Sequence, residues 1–155
     1  MRLAALLSSS LVSALLLGGC SERVIATANE DVLVVVEAVQ RGTPLATATV
    51  HYLMASPQPL SDDGPATERV VRMRYEAEFD CSRLTWGERV QELTMVDGQV
   101  LTNRTPDPVL ERPSPGSVGE SALKAVCDPD FHGTHGTRRP LRSIEKDYLE
   151  RMGDR

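Results

Sequence analysis

From Arg69 to Cys81 the side chains alternate without a break. Val71, Met73, Tyr75, Ala77, Phe79 and Cys81 fall on one side, and Arg72, Arg74, Glu76, Glu78 and Asp80 on the other. Successive side chains leave opposite faces of a pleated strand, so this period of two describes an antiparallel strand with one face buried and one solvated. The same alternation puts Cys81 on the core side, where a disulfide to another element would lie.

The flanking segments extend this sheet. Val32 to Val39 is apolar and β-branched, most simply a strand buried on both faces. Arg41-Gly42-Thr43-Pro44 is a turn signal. Ala46 to Met54 alternates again, with Ala48, Val50, Tyr52 and Met54 opposed to Thr47, Thr49 and His51. Pro57, Pro59 and Pro65, with Asp62-Asp63-Gly64, make Ser56 to Pro65 a loop. Leu84 to Met95 has strand composition with a phase change, since Leu84, Trp86 and Val90 are even and Leu93 and Met95 odd. Gly87 is the expected bulge point. Asp97-Gly98 predicts a type I′ hairpin.

After a loop with Pro106, Pro108, Pro113 and Pro115 the period changes. Ser117-Val118-Gly119-Glu120 fits a capping box. Val118, Ala122 and Val126 form one i, i+4 row, with Leu123 and Cys127 beside it, so Cys127 lies on the face that packs on the sheet. Beyond Asp128-Pro129 the chain is polar, with Gly133 and Gly136. Leu141, Ile144, Tyr148, Leu149 and Met152 then predict a short amphipathic helix ending near Gly153, either a docking or partner-binding helix or a frayed tail. The fold class is α+β: a small antiparallel β-sheet packed by a C-terminal helix, with one strand-to-helix disulfide.

The N-terminus carries a different signal. Arg2 precedes an apolar run from Leu3 to Leu17 interrupted by Ser8, Ser9 and Ser10, the layout of a secretory signal and too short to span a bilayer. Leu17-Gly18-Gly19-Cys20 resembles the bacterial lipobox, which implies diacylglycerol on the Cys20 thiol, cleavage before it and usually a further acyl chain. Each buried methylene contributes about 0.8 kcal/mol, so two or three long chains anchor essentially permanently. Ser21, rather than an acid, follows the cysteine, and the expected location is the outer membrane, facing the periplasm or the cell surface. The implied organisation is a signal peptide over 1–19, a lipid tether over 20–30, a domain over 31–128, and a flexible linker with a short helix over 129–155.

With Cys20 lipidated, Cys81 and Cys127 remain in an oxidising compartment, where an even pair reads as a disulfide. Closing the loop between them stabilises the fold by roughly 4 kcal/mol on the chain-entropy argument. Free or metal-binding thiols are the alternative, but neither cysteine has a Cys or His at metal-site spacing. The whole chain has a net charge of −5, and loss of Arg2 makes the remainder one unit more acidic. With no dense basic stripe, nucleic acid is excluded as a partner.

Two blocks resemble the surface-adhesin protein E family: Tyr75-Glu76-Ala77-Glu78-Phe79-Asp80-Cys81, and the closing segment from Pro115-Gly116-Ser117 to Ala125-Val126-Cys127. The resemblance spans about Val32 to Asp128. It implies a small secreted or lipidated domain, an antiparallel sheet covered by a helix, a bridge between these two cysteines, and binding to host matrix or plasma proteins.

Catalytic patterns are sparse. The chain has three histidines and no Gly-x-Ser-x-Gly elbow, phosphate loop or dinucleotide fingerprint. His51 reads as a solvated or hydrogen-bonded surface histidine, and Glu76 and Glu78, which alternate with Arg72 and Arg74 on the polar face, as members of cross-strand ion pairs. Asp128, Asp130, His132 and His135 fall close enough in sequence to be weak metal candidates, against the plainer reading of an exposed polar linker. A non-enzyme without cofactor is the expectation: a lipid-anchored binding or adhesion module for a protein partner, with the Arg72/Arg74 face and the 56–65 loop as candidate interfaces. The alternatives are a periplasmic envelope lipoprotein, such as a lysozyme inhibitor or assembly-machine component, and a metal-storing or metal-delivering protein.

Overall fold

The computed structural model describes residues 22–61 and 68–153. The expected signal peptide over 1–19 and Cys20 lie outside them. The alternating segment becomes an interior strand of a seven-stranded sheet. In chain order the elements are β1 (Arg23–Ala28), β2 (Val32–Gln40), β3 (Ala46–Pro59), β4 (Arg69–Asp80), β5 (Thr85–Met95), β6 (Val100–Arg104), α1 (Val118–Cys127), α2 (Pro129–His135), β7 (Gly136–Thr137) and α3 (Leu141–Gly153). The order across the sheet is β6-β5-β4-β3-β2-β1-β7, every pair antiparallel.

Both faces of the sheet are covered, which explains why Val32 to Val36 has no polar side. On one face Val24, Val34, Val36, Val50 and Phe79 pack under Ala122, Leu123, Ala125 and Val126 of α1. On the other, Leu33, Val35 and Leu53 meet Ile144 and Tyr148 of α3. Each buried branched aliphatic contributes about 1.5–3 kcal/mol relative to exposure. The C-terminal helix therefore docks on its own sheet. Its row Ile144–Tyr148 is buried, while Leu149 stays exposed.

Cys81 and Cys127 are bonded, with Cα atoms 5.3 Å apart, so the strand-to-helix staple is present. Cys81 points toward the helix side as the alternation requires, but it lies one residue past β4 and is exposed.

Several expectations are corrected. Within the expected 20–30 tether, Arg23 to Ala28 is strand β1, with Val24 and Ala26 buried. Its alternation is short and includes Arg23 and Thr27, so it reads as mixed and polar until β2 and β7 are beside it. Within the expected 129–155 linker and helix, Pro129–His135 is α2 and Gly136–Thr137 is β7; α2 is capped by Asp128, whose carboxylate accepts from the amides of Asp130 and Phe131. The 56–65 loop begins later than expected, because β3 continues through Pro59. Past Met54 that strand pairs with β4 alone, and a strand with one free side tolerates proline.

Two bulges break the alternation where β4 pairs with β5. Val70 faces Met95 and Arg72 faces Thr94, so Val71 is extra and only half-buried, not a core residue. Glu76 faces Val90 and Ala77 faces Glu88, so the phase change in β5 occurs at Arg89 rather than at Gly87. Gly87 is small for another reason: a Cβ there would lie 2.8 Å from the Val109 carbonyl oxygen. The capping box is half formed. The Ser117 hydroxyl accepts from the Glu120 amide at 3.2 Å, while the Glu120 carboxylate reaches one residue further back, to the Gly116 amide at 2.7 Å.

Candidate functional site

The α3-covered face is apolar only where the helix lies. Beyond it the same face carries charge. Glu37, the one acid in β2, forms an ion pair with Arg23 (Nε to Oε2, 2.7 Å) and contacts His51 Nε2 through Oε1 at 3.0 Å. His51 is hydrogen-bonded, as one of the two expectations had it, but at 8% exposure it is buried rather than a surface histidine. Burial lowers its pKa and outweighs the opposing pull of Glu37, while Arg74 and Arg72 add to the lowering. Neutral imidazole is thus the favoured form at neutral pH.

The next strand completes the network. Arg74 donates to Glu92 across the β4–β5 pair (3.2 Å) and to Glu76 along its own strand (3.0 Å). Glu78 pairs with Arg89 at 3.1 Å. Cross-strand pairing therefore accounts for Arg74 and Glu78. Arg72 instead crosses to Glu145 of α3 at 2.7 Å. Burial raises the Glu145 carboxyl above the ordinary range, with Arg72 and Arg142 opposing. The Arg72/Arg74 face is thus an internally satisfied set of ion pairs. Between it and the β6 edge lies an open depression of about 540 Å³ lined by Gln40, Thr47, Thr49, Glu76, Arg89 and Arg104.

The metal candidates are not brought together. Asp128 caps α2, and His132 contacts the Ala125 carbonyl (3.3 Å) and Glu22 (3.3 Å). His135 contacts the Phe131 carbonyl (3.0 Å) and stacks on that ring at 4.1 Å. Among the described residues no group of three His, Cys, Asp or Glu is placed to hold a metal.

The feature the sequence concealed is the sheet edge. All five residues of β6 are exposed, and the strand pairs only with β5 among the described residues. Val96, Val100 and Leu101 are 55%, 54% and 38% exposed at this hairpin. The strand has no proline or lysine and its one charge, Arg104, is its last residue, so Val100 to Asn103 are an open template for another strand. The signal was the apolar Val-Asp-Gly-Gln-Val-Leu hairpin itself, but its position at the margin follows only from topology.

The chain matches no family model, no curated protein and no solved structure in comparisons of sequence and fold.

Proposed function

We propose that the protein is a lipid-anchored envelope protein that acts as a non-catalytic binding module for a protein partner. The observation that carries the reading is the unguarded β6 edge, with its exposed Val96, Val100 and Leu101. Main-chain hydrogen bonds to such an edge supply affinity, and alternate side-chain contacts supply specificity. The Cys81–Cys127 bridge fits an exported chain, and the residues from Leu17 to Cys20 supply the anchor. By resemblance to the surface-adhesin protein E family, the partner is a host matrix or plasma protein.

A photo-crosslinking side chain at Leu101 in intact cells tests this. The expected result is one discrete adduct that is lost when the crosslinker is moved to Lys146 on α3. No adduct from Leu101 overturns the binding role. Protease shaving of the same cells decides the partner's side. Cleavage favours a host protein, whereas protection until permeabilisation replaces it by a periplasmic one.

A further inference from the structure

The sheet begins at Arg23, three residues after Cys20. An extended chain covers at most about 3.6 Å per residue, so Arg23 lies within roughly 11 Å of the lipid-bearing cysteine. No spacer is left once β1 has formed. Resting on the anchor reading above, we propose that the Arg23 end of the sheet is apposed to the membrane and contacts anionic lipid headgroups through Arg41, Arg83 and Arg138.

The registers fix which turns share that end. Arg23 pairs with Glu37 and with Thr137, Gln40 with Thr47, Ala46 with Phe79, and Asp80 with Thr85. The turns 41–45 and 81–84 and the segment 137–139 therefore share the Arg23 end of the sheet, spread across it from β7 to β5. Their tips are cationic. Arg41 and Arg138 are exposed and make no ion pair among the described residues, and Arg83, whose side chain is 82% exposed, pairs only at 3.7 Å with Asp80.

The acids at this end are already engaged. Glu37 holds Arg23, Glu22 meets His132, and Asp80 accepts from the Ser82 hydroxyl and the Ser82 and Arg83 amides. Asp128 and Asp130 sit at the start of α2, facing that helix's amide end. The 105–112 loop adds Asp107 and Glu111, balanced by Arg104 and Arg112.

The opposite end has the reverse character. Its turns carry Glu30 and Asp31, Glu68, and Asp97, against one flanking cation, Arg69 at the start of β4, so this end is net acidic. The strands rise about 3.4 Å per residue, which separates the two ends by about 30 Å along Val32–Gln40. An anionic surface attracts one end and repels the other, and the cysteine holds the attracted end within reach. Each arginine near such a surface raises occupancy about fivefold, so three give on the order of a hundredfold bias for this orientation.

The lipidated protein has Cys20 acylated and Cys81 bonded to Cys127, so one introduced cysteine can be labelled alone. Full chains carrying Gln40→Cys at the anchor end or Gln99→Cys at the far end are purified from membranes. Mass spectrometry of the N-terminal peptide reads the lipid. Each is labelled with a fluorophore in phosphatidylglycerol-containing vesicles that carry a headgroup nitroxide. The expected result is severalfold stronger quenching at Gln40→Cys than at Gln99→Cys. That difference is expected to shrink in pure phosphatidylcholine and when Arg41→Glu, Arg83→Glu and Arg138→Glu are combined. A lipidated protein quenched equally at both positions overturns the orientation and leaves the anchor standing. An N-terminal peptide without lipid overturns the anchor, and the orientation with it.

Discussion

The Tyr148 ring is fully buried between α3 and the sheet, beside Leu33, Val35 and Leu53, yet its hydroxyl has no hydrogen-bond partner among the described residues. A buried polar group left unpaired costs about 1–3 kcal/mol. Tyr148→Phe removes that oxygen and keeps the ring contacts, so the expected change is a gain of about 1 kcal/mol. For a chain of this size that is a rise in melting temperature of roughly 3–5 °C. Urea unfolding of the purified protein measures it as a higher midpoint at unchanged slope. Tyr148→Ala, which empties the site, is expected to lose about 3–5 kcal/mol, as large aromatic truncations do. The contrast between the two variants isolates the hydroxyl from the ring. If Tyr148→Phe loses 1 kcal/mol or more while Tyr148→Ala behaves as expected, the hydroxyl is bonded in the native state and the reasoning fails.

Replacing Cys81 and Cys127 together by serine frees a loop spanning a separation of 46 residues, with an expected loss of about 4 kcal/mol on the chain-entropy argument; a thermal melt with and without reductant checks it, and reductant should leave the double variant unchanged. Gly87→Ala brings a methyl against the Val109 carbonyl, expected to cost about 1–3 kcal/mol in chemical denaturation, whereas Gly133→Ala meets nothing and should be neutral or mildly stabilising within its helix. His51 has a folded pKa below its unfolded value of 6.5, so the unfolded chain binds the proton more readily. Its contribution to stability is complete above pH 6.5 and is lost as pH falls from there through the lowered folded value, and the slope of stability against pH between 7 and 5 should flatten in His51→Gln. Arg72→Ala leaves the buried Glu145 carboxylate without its partner, and because Arg72 is itself partly exposed the expected loss is about 1–2 kcal/mol, shrinking as pH is lowered and Glu145 protonates.

What the sequence by itself determined was everything encoded in local periodicity. The alternation of β4, the two-sided apolar run of β2, the row of α1 and the row Ile144–Tyr148 of α3 could all be read because backbone geometry sets their periods; a turn does fall at Asp97-Gly98, but not the expected type I′, since only Gly98 of the pair has a positive φ. The two cysteines were expected to pair on independent grounds, and they are joined, although Cys81 is exposed rather than in the core. Tertiary structure decided what local pattern cannot carry. Arg23 to Ala28 looks polar until β2 and β7 pair with it, and Pro57 and Pro59 are tolerated because β2 has ended beside them. The phase of β5 shifts at Arg89, where an extra residue is accommodated against β4, while Gly87 answers to a loop more than twenty residues away. Arg72 finds its carboxylate on a helix 73 residues later. The gathering of Arg41, Arg83 and Arg138 at one end, and the exposure of β6 at one edge, follow from strand order, because only the pairing of distant segments determines which turns are neighbours and which strand is left without one.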